Sequence, residues 1–288
     1  MVRPSWRRFW DLLGTGDGAP AGRTHGDPPS ANGASSLHLR WDLDDRPGCR
    51  EVSVNLEVLQ PPTVDRLYFW ALQADFAMGD AGRRPAGGAH LGLQWHPQHP
   101  GSTAVNWGGY RPGGGELSGT VSALPSALGN PNTRDMRWRP GEPYRLTIAR
   151  AEPTGAAPTG AAPTGAVRWR GSVTDSSGTT TVVRDMFVEG DRIAGVVMWS
   201  EVFARCEHPS VGVRWSDPTA VTVDGRVVPI PRVSVNYQSH ADGGCTNTDS
   251  RPDATGVAQW TAVTRTVAQG TVLAVPGSGA AAPVPSGP

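Results

Sequence analysis

Apolar and polar residues alternate with a period of two along most of this chain. Leu37, Leu39, Trp41 and Leu43 face one way and His38, Arg40 and Asp42 the other, the pattern of a strand with one buried face. After a turn at residues 46–48, Val52, Val54, Leu56 and Val58 alternate with Glu51, Ser53, Asn55 and Glu57. Residues 67–76 are apolar almost without a break, which predicts a central strand covered on both faces. The next stretch, GGAHLGLQWHPQHPGSTAVNWGGY over residues 87–110, reads as strand, loop and strand: Leu91, Leu93 and Trp95 on one face, His90, Gly92, Gln94 and His96 on the other, then Val105 and Trp107 alternating with Asn106. Glycine inside a strand marks a bulge or a place where a ligand or another backbone comes close.

The alternation resumes at Tyr144, Leu146 and Ile148, and again at Val167, Trp169 and Val173. Turn signals at residues 175–178 and 189–191 then bracket a meander that ends in a long strand, with Val197, Trp199, Glu201 and Phe203 on one face. Val211, Val213 and Trp215, then Val221 and Val223 before a turn at Asp224 and Gly225, then Val233, Val235 and Tyr237 give further strands, and residues 258–267 read as the last long one. About a dozen short strands separated by turns predict an all-β protein, an antiparallel β-sandwich of jelly-roll type.

The segments outside this pattern set the domain boundaries. Trp6, Phe9, Trp10 and Leu13 fall at helical spacing and predict a short N-terminal helix ending at Gly14. Residues 14–35 are rich in Gly, Pro, Ala and Ser and read as a flexible linker, so residues 1–35 precede a single domain over 36–275, and the Ala-, Gly- and Pro-rich residues 276–288 form a disordered tail. Within the domain, PTGAAPTGAAPTGA at residues 153–166 is a five-residue repeat with no side chain able to build a core. It reads as an expanded hairpin loop, because strands resume on both sides.

Charge narrows the partners. The 26 basic residues are balanced by 26 acidic ones, so no net field draws the chain to nucleic acid or to an anionic membrane. No stretch is long and apolar enough to span a bilayer. Arg7 and Arg8 are not followed by the apolar run of an export signal, since Asp11 interrupts it. The expectation is therefore a cytoplasmic protein, or a secreted one if the start is truncated.

Candidate chemistry is sparse. Trp95, Asn106, Trp107, Tyr110 and Glu201 are the candidate ligand-binding residues, the aromatics as stacking platforms and the polar groups as hydrogen-bonding partners. His90, His96 and His99 lack Cys or carboxylate companions at zinc spacing, and Asp242, Asn247 and Asp249 do not match a calcium loop, so no metal and no cofactor is expected. There are three cysteines, Cys49, Cys206 and Cys245. An odd number without an export signal favours reduced thiols, while Cys206 and Cys245, both at strand ends beside loops, are candidates for a disulfide. No G-x-S-x-G elbow supports a serine hydrolase.

The runs RWRPGEPYRLTIAR, VRWRGSVTDSSGTTTVVRDM and IAGVVMWSEVF resemble the jelly-roll sandwiches of the concanavalin A-like lectin and glucanase type, and more closely a group of uncharacterised actinobacterial domains with such a sheet. The resemblance covers residues 37–223 and implies a glycan-binding concave sheet or loop rim. It does not extend to the acidic pair that the glucanases carry on one strand, E-x-D-x-E or E-x-D-x-x-E, which this chain lacks. Glu189 and Asp191 flank a turn glycine, and Glu201 and Glu207 would lie ~20 Å apart on one strand, too far for glycoside hydrolysis. Three readings follow: non-catalytic binding of a carbohydrate or small ligand, a glycoside hydrolase or lyase with its acids on separate strands, and a structural or protein-interaction domain.

Overall fold

A computed structural model describes residues 23–43, 48–79, 84–151 and 163–276. The predicted helix at residues 5–14, most of the repeat and the C-terminal tail lie outside the described residues. Among those described, no helix is long and apolar enough to cross a membrane.

The strands are β1 (Ser35–Trp41), β2 (Cys49–Gln60), β3 (Tyr68–Met78), β4 (Arg84–Trp95), β5 (Thr103–Tyr110), β6 (Thr133–Asp135), β7 (Pro143–Arg150), β8 (Val167–Thr174), β9 (Thr180–Val188), β10 (Arg192–Val202), β11 (Gly212–Thr222), β12 (Val227–Pro229), β13 (Arg232–Tyr237), β14 (Thr248–Pro252), β15 (Val257–Thr261) and β16 (Val272–Ala274). They form an antiparallel β-sandwich. One sheet runs β16-β13-β1-β10-β3-β4-β5-β6, and the other runs β14-β15-β11-β2-β7-β8-β9 with β12 beside β11. Among the described residues, a single pairing, Ile193 with Cys49, stitches the two together at one corner.

The period of two decides what lies between the sheets. Leu37, Leu39, Trp70, Leu72, Leu91, Leu93, Trp107 and Met198 point inward from the first sheet, and Val54, Leu56, Leu146, Ile148, Trp169 and Trp215 from the second. Phe76 and Trp169 meet across the gap with ring centroids 4.7 Å apart. As predicted, β3 is a central strand, running between β10 and β4, and it is buried along almost its whole length.

Several expectations are corrected. The last long strand stops at Thr261, where Ala262 takes a left-handed φ of 54° and the chain turns away. The two strands expected over residues 211–215 and 221–223 are one, β11 (Gly212–Thr222), kinked at Asp217 (φ 50°), where the pairing with β2 slips. The described part of the expected linker, residues 23–34, is bonded into the domain. Thr24 bonds Thr246 through backbone and hydroxyl, and Gly26 donates its N–H to Glu207 and accepts from the N–H of Cys206. The repeat sits where a hairpin loop was expected: β7 and β8 pair up to Arg150 with Trp169 on either side of it.

Candidate functional site

The outer face of the first sheet, away from the second sheet, carries residues that a solvent-facing surface seldom does. Paired residues share a face, so the registers place them in rows across the strands. One row runs Ser36, Glu201, Phe69, Gln94, Ala104 and Asp135; the next runs Asn236, His38, Trp199, Ala71, Gly92, Asn106 and Thr133. A third holds Ser234, Arg40, Val197, Gln73, His90 and Gly108, and a fourth holds Gly195, Asp75, Gly88 and Tyr110. Among the described residues, no strand packs over these rows. Even so, Phe69 is 5% exposed, Trp199 6% and Gln73 0%.

The aromatic residues hold one another. Phe69 and Trp199 meet edge to face at 4.8 Å, and His90 closes the triangle at 5.5 Å from Phe69 and 5.7 Å from Trp199. Tyr110 leans over from β5 to within 6.3 Å of His90. Such edge contacts suit the quadrupoles of the rings. Polar groups fix the cluster from beneath: Trp199 Nε1 donates to Gln73 Oε1 at 3.2 Å, and Gln73 Nε2 donates to Asp75 Oδ1 at 3.1 Å. At the other end, Asn32 Nδ2 donates to Glu201 Oε1 at 2.8 Å. Gln94 and Asn106, both at least nine-tenths buried, keep side-chain oxygens without a hydrogen-bond partner, although Asn106 Nδ2 donates to Thr133 Oγ1.

This half-dry setting moves the titrations. Burial pushes the Glu201 carboxyl up to about 7, against the pull of Asn32. Burial does the same to Asp75, also to about 7, opposed by Gln73 and Arg40. The imidazoles shift the other way: burial brings His90 down to about 4, and burial with the nearby Arg40 brings His38 down to about 4. The phenol of Tyr110 is raised by burial and by the negative fields of Glu116 and Glu201.

The expected binding residues divide. Glu201, Tyr110 and Asn106 stand on the outer face. Trp107 does not: it is 0% exposed and packs between the sheets, so it is core and not a platform. Trp95 packs against the core from the end of β4, with its Nε1 donating to the Val64 carbonyl. Its alternation partners Leu91 and Leu93 already placed it on the inner face. Gly92 and Gly109 serve a neighbouring backbone, since a Cβ on Gly92 would lie 2.0 Å from the Trp70 carbonyl oxygen and one on Gly109 2.5 Å from that of Gly88. Phe69, Gln73 and Asp75 were missed because β3 reads as continuously apolar. A Gln and an Asp two apart inside such a run were the signal.

Among the described residues no three His, Cys, Asp or Glu side chains gather as a metal site. His90 belongs to the aromatic cluster, while His96 and His99 pack on each other at 4.7 Å and His99 Nδ1 lies 2.5 Å from Asp135 Oδ1. Asp249 is fully buried and accepts from Thr266 and Val267. Cys206 and Cys245 are joined by a disulfide, their Cα atoms 5.6 Å apart, and Cys49 is buried elsewhere.

No family model matches the chain, and no curated protein does. Among solved structures, the chain is similar to scytalidoglutamic peptidase bound to a peptide-based transition-state analogue, at 11% identity and a TM-score of 0.41, covering 83% of this chain and 99% of that one. A second structure of that peptidase with a transition-state analogue inhibitor gives 12% identity and the same TM-score and coverage.

Proposed function

We propose that the outer face of the first sheet binds a polyhydroxylated ligand, a glycan before other classes, without cleaving it. The observation that carries this reading is the outer face, where the Phe69–His90–Trp199 cluster, its rings buried against one another, backs the half-buried Tyr110 and is joined by side-chain amides and carboxyls. Rings offer flat apolar surface to the C–H faces of sugars, and amides and carboxyls take up hydroxyl hydrogen bonds, the combination that orients ligands in largely apolar sites. Tyr110, half-buried at the rim, is the accessible stacking group, and Glu201 is the hydrogen-bonding group at the other end of the face. The likeness of the strand sequences to lectin-type sandwiches points the same way.

The absence of cleavage rests on spacing. Asp75 and Glu201 sit six residues apart on the sheet, with Asp75 opposite Gly195 and Glu201 opposite Phe69, which is roughly 20 Å at strand rise against the ~5–9.5 Å that two hydrolytic carboxyls need. One observation favours a hydrolase as a second reading: Glu201, held near 7, and Glu116 both act on Tyr110, and an acid near neutrality suits general acid–base work.

The test is a glycan array with the full chain beside Tyr110→Ala and Glu201→Gln, each checked by circular dichroism. The expected result is glycan binding by the parent and at least tenfold weaker binding by folded variants. A parent that binds no glycan, or variants that bind as well as the parent, would overturn the assignment. Release of reducing ends with a pH limb near 7, lost in Glu201→Gln, would replace it with the hydrolase.

A further inference from the structure

We infer that residues 24–34 are part of this face, and that the Cys206–Cys245 bridge holds them there, so that oxidation of the two thiols completes the acidic end of the site. The inference rests on the reading that Glu201 belongs to the binding face.

The segment runs along the loops that the bridge joins. Cys206 donates its backbone N–H to the Gly26 carbonyl at 2.9 Å, and Cys245 donates its own at 2.9 Å to Ser35 Oγ, on the first residue of β1, so the bridged residues hold the segment near its start and just past its end. The neighbours of both cysteines repeat the contact. Glu207 accepts from the Gly26 N–H at 2.8 Å, and Thr246 exchanges hydrogen bonds with Thr24 at 2.8–3.1 Å. Gly243 lies so close that a Cβ on it would fall 2.2 Å from the Ser30 nitrogen.

Between these grips the segment turns: Ser30 Oγ donates to the Ala34 carbonyl, and Asn32 Oδ1 accepts from the Ala34 N–H. That turn presents the Asn32 amide to Glu201. None of the contacts to Cys206, Glu207, Cys245 or Thr246 belongs to a strand ladder, so what keeps the two loops in register with the segment is the bridge between them, helped by Asn247 Nδ2 donating to the Cys206 carbonyl at 2.5 Å. Oxidation joins the two thiols with loss of two electrons and two protons to a disulfide acceptor, which leaves as a dithiol. Both cysteines are about 5% exposed, so the bridge, once made, is shielded from reductant, as a clamp should be. Disulfides form and persist in oxidising compartments, so the site is completed where the chain meets one. Asn32 is then a positioning residue for Glu201. The groups facing Glu201 on the sheet are Ser36 from β1, Phe69 from β3 and Gln94 from β4, none of which titrates, with Tyr110 within electrostatic range from β5.

The experiment needs no ligand, so its failure is separate from failure of the glycan reading. Hydrogen exchange on the full chain is compared with a Cys206→Ser/Cys245→Ser variant. The expected result is at least tenfold faster exchange at the amides of Thr24, Gly26 and Ala34, while β3 and β10 amides stay protected. Unchanged protection of the segment overturns the inference, and so does loss of protection across the whole sheet, which would make the bridge a general staple. Asn32→Ala, with the bridge intact, keeps the test sharp if the double variant is poorly folded: the Glu201 carboxyl, followed by carbon NMR, should titrate higher than in the parent. An identical titration would show that Asn32 does not position it.

Discussion

The indole of Trp107 rests against Gly171 in the opposite sheet, where a Cβ on that glycine would meet ring carbons at 2.7 Å. Neither side can give. Trp107 is walled in by the core and Gly171 lies in the middle of β8, so Gly171→Ala should cost about 1–3 kcal/mol through overpacking, and Trp107→Ala about 3–5 kcal/mol through the cavity it leaves. Urea unfolding of both variants checks this, and a parental midpoint for Gly171→Ala would mean that the indole does not press on that backbone. The same pair shows where the sequence stopped being readable. Alternation correctly set Leu91, Leu93 and Trp95 opposite His90, Gly92 and Gln94, but it says nothing of which face meets a second sheet. Trp107 therefore served equally well as platform or core until its partner, 64 positions later in the chain, was in place.

At the scale of the element, the outer face carries two carboxyls and two imidazoles shifted in opposite directions, with a consequence for stability. Asp75 and Glu201 hold protons when folded up to about 7, against 3.8 and 4.5 for the ordinary groups, so their contribution is full below pH 4 and is lost as pH rises through 7. His38 and His90 are held neutral when folded, at about 4 against 6.5, so theirs is full above 6.5 and is lost as pH falls toward 4. Between about 4.5 and 6.5 the folded state gains two protons on the acids and forgoes two on the imidazoles, and stability should be nearly flat. His96, also lowered by burial, tilts it slightly upward with pH. Glu201→Gln removes one acid, and its stability should climb with pH across that window by up to about 1 kcal/mol per pH unit. His90→Gln should tilt the other way. Urea midpoints at pH 4.5, 5.5 and 6.5 decide it, and parallel profiles for all three proteins would refute the compensation.

The β7–β8 hairpin is the element the sequence disclosed best, because the repeat between its strands has no residue that a core could use. Deleting residues 153–162 should shift stability by less than about 1 kcal/mol, as closure entropy grows only slowly with loop length. A larger loss in thermal unfolding would show that the loop packs on the sandwich. β3 lies at the opposite extreme. Its apolar run gave away its central place, and that same run hid Phe69, Gln73 and Asp75, since a strand buried on both faces has no polar stripe to mark the face with a task.

For the molecule as a whole the question is what makes two sheets one folding unit when, among the described residues, they share a single backbone pairing, Ile193 with Cys49. Apolar packing supplies the bulk, but it is tolerant of sliding. A buried polar contact fixes the alignment: Gln259 on β15 accepts through Oε1 from Ser200 Oγ on β10 at 2.7 Å and from Trp215 Nε1 on β11 at 3.0 Å. One amide oxygen thus ties the middle of the first sheet to the edge of the second. Gln259→Leu keeps the bulk but leaves two buried donors without an acceptor, each costing about 1–3 kcal/mol, so a loss of about 2–6 kcal/mol is expected. If the contact aligns the sheets, Trp215→Phe should cost clearly less in the Gln259→Leu background than in the parent, with a coupling of at least 0.5 kcal/mol. The parent should also unfold in one transition by tryptophan fluorescence and circular dichroism alike, and Gln259→Leu should begin to separate the two curves as the sheets lose their common register. Additive costs with coincident transitions would instead assign the coupling of the sheets to apolar packing alone.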